Sequence, residues 1–268
     1  QGPRQDRTYT GSGDGGFHLV LLAENIIGWQ NLLVLCSEAY LTGFYYKPRI
    51  DRELLAKHSE GLIAINGHLG SEIGDALLDF ERTGDQKHWD KAVESAVWHA
   101  KAFNTNPSSP RFFVELQHHI SEQNSINKHL IRLAKELDLP LVCDNDAHFL
   151  KAEDHDAHDT LVCISTSKGK HDEQRMRYPP QLYVKSPSEM RDLAEEMSSE
   201  IAAEWATACD NTVKIAERCN VKLPLGANNA PMVRIDLPKT KDLPKHDAPE
   251  FAGDLTAWYT DFCTRVEV

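Results

Sequence analysis

The chain has 268 residues, 41% of them hydrophobic and 26% charged, which is the composition of a globular protein with a sizeable core. Its formal net charge of −12 argues against a broad surface for the phosphate backbone of nucleic acids. No apolar run long enough for a membrane helix and no signal-peptide pattern is present, and the chain does not begin with Met, so we expect a piece of a longer cytoplasmic protein.

The N-terminal part alternates short apolar runs with stretches of helical spacing. Residues 1–16 are rich in Gly, Ser, Asp and Thr and predict a flexible entry segment. From Phe17 onwards, strands separated by helices favour a parallel α/β sheet or barrel. The predicted strands are 17–23, 61–65, 111–116 and 139–143, and the predicted helices are 28–40, 49–58, 73–80, 89–103, 126–137 and 154–167.

The C-terminal part predicts a helical extension and then a connection to another unit. Residues 186–219 form a second helical region, in which Ser186 is expected to cap a helix that has Pro187 in its first turn. Prolines and charges dominate residues 226–250, as in a linker, and residues 251–268 have the spacing of a further helix. We therefore expect one domain over residues 17–225.

The six cysteines include no CxxC pair, and most lie in apolar runs. This pattern favours buried free thiols in a reducing compartment over disulfides or a zinc knuckle.

Metal-competent side chains follow three of the predicted strands. Side chains two residues apart share one face of an extended segment, so Asp146 and His148 are expected to point the same way. Because the carboxyl ends of parallel strands meet at one edge, the three groups are expected to converge. The groups are His68; Glu115, Gln117 and His119; and Asp146 with His148.

Imidazole and carboxylate ligands together suit zinc, manganese or iron, and sites with two such metals catalyse attack at phosphorus. The alternative is a set of loops with local hydrogen bonds, since 13 histidines make some proximity expected by chance. A second group of polar residues is interpreted as the solvated start of a helix: His155, Asp156, His158 and Asp159. His18 is assigned no role. No Walker loop or polymerase palm pattern is present, so the chain alone is not expected to polymerise nucleotides.

Nine segments, taken in order over about residues 17–225, together resemble the PHP (polymerase and histidinol phosphatase) domain of bacterial DNA polymerase III alpha subunits. The nine segments are 18–23, 28–32, 43–51, 59–63, 113–117, 145–149, 157–159, 183–190 and 211–220.

The resemblance implies a distorted β/α barrel, similar to a TIM barrel, with metal ligands at the strand ends. Carried over by position, the ligands are His68, His119, Asp146 and His148, with Asp146 and His148 catalytic; the family usually has Cys at the position of His68. The resemblance also implies a role in DNA replication, with divalent zinc, manganese or iron as cofactor and with 3′–5′ exonuclease activity. The expected partners are the other domains of the parent polymerase subunit, the sliding clamp and the proofreading subunit. Contact with DNA is expected only through that parent subunit.

The family's first His-x-His motif is not found in residues 1–17, so we expect a barrel and a ligand set that are incomplete at the N-terminus. Two alternatives remain open at this point. One is a stand-alone PHP phosphoesterase. Residues 45–51 and 211–220 argue against it, because they resemble the polymerase branch of the family. The other is a structural or docking domain without catalysis.

Overall fold

The computed structural model describes residues 3–6, 16–106, 108–226 and 254–266, and for residues 255, 265 and 266 it describes the backbone only. Two compact units are distinguished, 1–223 and 224–268. Most of the predicted entry segment and residues 227–250 of the predicted linker lie outside the described residues. Within the entry segment, Arg4 forms an ion pair with Asp51 at 3.1 Å.

The first unit is built on a sheet with the strand order β1-β2-β3-β4. Strands β2, β3 and β4 run parallel, in the register Asn66 opposite Val114 and Leu116 opposite Cys143. The mixed α/β class is confirmed, and the four strands in the described residues form an open sheet, consistent with part of a barrel. The strands are β1 Val20–Ala23, β2 Leu62–Asn66, β3 Phe112–Leu116 and β4 Leu141–Cys143.

Strand β1 differs from the expected parallel arrangement because it pairs antiparallel to β2, with Val20 opposite Ile65. Residue spacing identifies a strand without giving its direction. An edge strand is also not buried on both faces, and Val20 is exposed here. The antiparallel pairing places the residues before β1 near the carboxyl end of β2.

Helices cover the sheet, and each predicted helix is present with ends shifted by a few residues. Ser186 caps α7 as predicted: its hydroxyl accepts from the Glu189 N–H, and the Glu189 carboxylate accepts from the Ser186 N–H. No helix in the described ranges has the length and apolar character of a membrane span. The helices are α1 Ile26–Leu41, α2 Arg52–Lys57, α3 Glu72–Thr83, α4 Gln86–Phe103, α5 Ser121–Glu136, α6 His155–Thr166, α7 Pro187–Asp192, α8 Ser199–Arg218 and, in the second unit, α9 Leu255–Val266.

The two faces of the sheet contribute to two apolar clusters. On one face, alternate residues such as Leu62, Ala64 and Phe112 pack with helices α3, α4 and α5 in the larger cluster. On the other face, Ile63 and its alternating neighbours pack with Ile215 of α8. Strands β2, β3 and β4 are completely buried, so their carboxyl ends are held by packing on both sides.

Candidate metal site at the carboxyl edge of the sheet

The carboxyl ends of β2, β3 and β4 meet at one edge of the sheet, and the predicted site residues follow them directly. His68 lies two residues after β2, His119 three residues after β3, and Asp146 three residues after β4. We call the group formed by His68, His119, Asp144, Asp146 and His148 the strand-end cluster.

His68 is half-buried in the turn that leads from β2 to α3. Its Nδ1 accepts a hydrogen bond from the Gly70 N–H at 3.1 Å. A Cβ on residue 70 would lie 2.9 Å from His68 Cε1, so the turn fits this ring closely. Burial, and then the neighbouring His18, lower the pKa of His68, while Asp144 and Asp146 oppose that change. In the neutral ring, the proton is therefore on Nε2.

His119 presents a buried ring nitrogen for which the structure provides no hydrogen bond. Its Nδ1 is inaccessible to solvent and has no partner in the described part of the chain. Burial is the main cause that lowers the pKa of His119, and the carboxylates of Asp146 and Asp144 oppose this effect. An unsatisfied buried nitrogen near two carboxylates is typical of a site that receives a ligand.

Asp144 connects the ends of β3 and β4. Gln117 Nε2 donates to Glu115 Oε1 at 2.7 Å and to Asp144 Oδ1 at 2.6 Å, and the same oxygen of Asp144 accepts from the Asp146 N–H at 3.3 Å. Glu115 is 1% exposed. Burial, followed by the charge of Asp144, raises the pKa of Glu115 well above its usual range, which favours a neutral carboxyl.

Asp146 and His148 are close together, although the backbone between them is not the extended segment that we predicted. Asp146 has a φ of 48°, in the left-handed region, so the alternation of an extended strand does not apply. His148 Nδ1 lies 2.6 Å from the Asp146 carbonyl oxygen and 3.9 Å from its Oδ2. A carbonyl oxygen only accepts, so Nδ1 carries the proton and Nε2 is left with a free lone pair.

The His148 ring also belongs to an aromatic group outside the predicted site. Its centroid lies 4.5 Å from that of Tyr178 and 5.9 Å from that of His158. The strand-end cluster is thus assembled at one edge, but its members are not gathered around one point. Among the residues the structure describes, no three His, Cys, Asp or Glu side chains are arranged to hold a metal ion.

The comparisons with known proteins identify the fold and its relatives. Residues 5–119 match the family described as "PHP domain". The chain is 42% identical over 217 residues to "DNA polymerase III subunit alpha" of Thermus aquaticus, covering 80% of this chain and 16% of that protein. It is 40% identical to the protein of the same name from Deinococcus radiodurans, over 84% of this chain and 16% of the relative. The Campylobacter jejuni protein of that name is 36% identical over 89% of this chain and 19% of its own length.

The chain is homologous to the PHP regions of DNA polymerase III alpha subunits. It spans about a sixth of the length of these relatives. The resemblance predicted from short segments is thereby confirmed over most of the chain.

One neighbour and one member of the strand-end cluster in this PHP domain were missed by the sequence interpretation. His18, to which no role was assigned, lies with its ring centroid 5.6 Å from that of His68. The backbone N–H of His18 also donates to the Gly70 carbonyl at 2.9 Å. Only the antiparallel pairing of β1 brings it there. Asp144 was not selected either, although it directly follows β4, which was the available signal.

The four residues do lie at the start of α6, as predicted, but three of them are less solvated than expected. His155 Nε2 lies 2.9 Å from the Tyr178 carbonyl oxygen, and the His158 ring packs against Tyr178. Asp159 is largely buried and pairs with Arg175 at 2.5 Å. The segment around 175–178 folds back over the helix, and the spacing within α6 cannot show such a contact. Only Asp156 is exposed as expected.

Proposed function

We propose that the chain acts in DNA replication as the PHP domain of a DNA polymerase III alpha subunit. The identity to proteins of that name over most of this chain supports the proposal. Within such a parent, nucleotide transfer would belong to other regions, because no polymerase palm pattern is present in this sequence. The remaining polymerase domains would be its immediate partners, and the sliding clamp, the proofreading subunit and DNA would be reached through the parent in the cytoplasm.

The finer proposal is that His68, His119, Asp146 and His148 of the strand-end cluster bind divalent zinc, manganese or iron for 3′–5′ hydrolysis of phosphodiesters. The observation that carries it is the buried, unpartnered Nδ1 of His119 beside the carboxylates of Asp144 and Asp146. Bound metal would lower the pKa of a water molecule and neutralise phosphate oxygens.

The donor chemistry of three proposed ligands fits such a metal. His119 has a free nitrogen, Asp146 has an exposed carboxylate, and the Nδ1–H bond of His148 leaves its Nε2 lone pair available. Asp146 and His148 are the proposed catalytic pair because they are the exposed members of the cluster, which would leave them accessible to a DNA end. Asp144 and Gln117 position them through the hydrogen bond to the Asp146 N–H.

His68, the fourth proposed ligand, fits less well in its present conformation. Its Nδ1 lone pair is used by the Gly70 N–H, so binding through that nitrogen requires the loss of this hydrogen bond. We therefore expect His68 to contribute less to metal affinity than His119.

Titration calorimetry with Mn²⁺ and with Zn²⁺ tests the metal site. The metal-free chain should bind each ion, and Asp146→Asn should weaken binding by about tenfold or more, because a carboxylate ligand is replaced by a neutral amide. Asp90→Asn is the matched control: Asp90 is exposed on α4, and its amide oxygen still accepts from Gln86 Nε2. Equal affinity of wild type and Asp146→Asn would remove Asp146 from the site.

Hydrolysis is tested in the full-length parent with single-stranded DNA labelled at its 5′ end. Asp146→Asn should abolish 3′–5′ shortening while the circular dichroism spectrum and the polymerase rate stay unchanged. Undiminished shortening in this variant would contradict the catalytic proposal.

A structural role without catalysis is the second candidate, and one observation favours it. In the described ranges no three metal-competent side chains converge. Such an arrangement is what the loss of ligands from an ancestral metal site would leave. A parent that binds no divalent metal at this edge, and whose stability falls when the domain is disrupted, would support this second candidate.

A further inference from the structure

Two buried cysteines meet where strand β4 contacts helix α8. Cys143 is the last residue of β4, Cys209 lies in the middle of α8, and the two sulfur atoms are 3.2 Å apart. They are 66 residues apart in the chain. Both are free thiols, 3% and 7% exposed respectively. This contact is separate from the proposed metal ligands and from the activity proposed above.

The surroundings distinguish the two sulfur atoms. The hydrogen bond from the Cys143 thiol and the positive charge of Arg191 lower the pKa of Cys209, while burial and the carboxylate of Asp210 oppose this. The same hydrogen bond and burial raise the pKa of Cys143. Cys209 is therefore the better nucleophile, because the thiolate is the reactive form, and Cys143 remains a proton donor beside it.

We propose that Cys143 and Cys209 form a reversible disulfide when the protein is exposed to a peroxide. The sulfur atoms need to approach by only about 1.2 Å to reach the bond length of about 2.0 Å.

The reaction balances with hydrogen peroxide as the oxidant. The Cys209 thiolate attacks one peroxide oxygen, the O–O bond breaks, and hydroxide leaves to be protonated, which produces a sulfenic acid on Cys209. The Cys143 sulfur then attacks the Cys209 sulfur, the S–O bond breaks, and water leaves with the Cys143 proton. Two thiols and one peroxide give one disulfide and two waters, so sulfur loses the two electrons that oxygen gains.

The bond would link two elements that together position the carboxyl edge. Asn211 of α8 already donates to the Leu141 carbonyl of β4 at 2.7 Å, and Asp144 follows Cys143 directly. A covalent link across 66 residues restricts the unfolded chain. We therefore expect the oxidised protein to have a Tm raised by about 5 °C or more.

Peptide mapping of the peroxide-treated chain tests the proposal. Trypsin releases Cys143 in residues 136–151 and Cys209 in residues 192–214, each with a single cysteine. After treatment with a few equivalents of hydrogen peroxide, non-reducing mass spectrometry should detect these two peptides joined, and dithiothreitol should separate them. Cys163→Ser, at another buried cysteine, should leave the linked pair unchanged, whereas Cys209→Ser should abolish it and the rise in Tm.

The exposed Cys36 is the internal standard for oxidation. Oxidised Cys36 without the linked pair would overturn the proposal, as would Cys143 joined mainly to a different cysteine. If Cys209→Ser does not fold, mapping of the wild-type chain decides the question alone, because the linked peptides are either formed or absent.

Discussion

At the scale of single residues, the hydrogen bonds of each polar group determine what it contributes to the edge. His148 donates through Nδ1, so its other nitrogen is free, whereas His68 accepts through Nδ1 and keeps its proton on Nε2. His119 has an unpartnered buried Nδ1. These three histidines have similar sequence settings, each following a strand, but differ in their readiness to bind a metal.

Glu115 provides a prediction at this scale. Its raised pKa means that the folded state holds a proton that the unfolded state has released, so its stabilising contribution is complete at low pH and is lost as pH rises through the folded-state pKa. Glu115→Gln keeps an oxygen for Gln117 and removes the buried charge. In EDTA the variant should have a higher Tm than wild type at pH 8, and the difference should shrink towards pH 4.

The exposed Glu94→Gln on α4 is the matched control and should show no such pH-dependent difference. A Glu115→Gln protein that is less stable than wild type at pH 8 would show that the carboxylate is required in its charged form.

At the scale of elements, close backbone contacts fix how helices meet the sheet. Asn25 caps α1 by accepting from the N–H groups of Ile27 and Gly28 at 3.0 and 3.1 Å. The first turn of α1 lies directly against the residue before β2. A Cβ on Gly28 would be 1.9 Å from the Gly61 carbonyl oxygen, so this contact admits no side chain.

We predict that Gly28→Ala lowers the free energy of unfolding by about 3 kcal/mol or more, because backbone has to move to admit the methyl group. Urea denaturation followed by circular dichroism measures this change. Gly16→Ala, where a Cβ meets nothing within 4 Å, is the control and should be nearly neutral. A neutral Gly28→Ala would mean that α1 is free to shift relative to β2.

The elements of this fold are readable from sequence because apolar periodicity follows burial. Leu62 to Ile65 and Phe112 to Leu116 are buried on both faces and form unbroken apolar runs except for Glu115. The direction of β1 is not readable, because it depends on pairing with β2, and His18 was missed for that reason. The turn at Asp146 was also missed: its backbone is left-handed, and the His148 N–H after it donates to the Leu182 carbonyl of another segment, a contact that local spacing does not show.

At the scale of the whole molecule, charge separates this domain from a general DNA-binding protein. The net charge of −12 repels a phosphate backbone. Arg175 forms an ion pair with Asp159, and Lys185 donates hydrogen bonds to oxygen atoms of Asn145 and Gln181. We therefore expect any contact of this chain with DNA to be local.

We accordingly predict that the isolated chain shows no saturable binding to duplex DNA below about 100 µM at physiological salt. Fluorescence anisotropy with a labelled duplex measures this, with a basic DNA-binding protein as positive control. Micromolar binding that weakens with added salt would reveal a basic surface that the charge distribution does not suggest.

Crystals soaked in Mn²⁺ test most directly whether the carboxyl edge of the sheet binds a divalent metal. We predict an anomalous difference peak at the manganese edge within about 2.5 Å of donor atoms from His119 and Asp146. Crystals of Asp146→Asn should lose this peak. A wild-type structure with no peak at the edge, or with manganese bound only elsewhere, would contradict the claim.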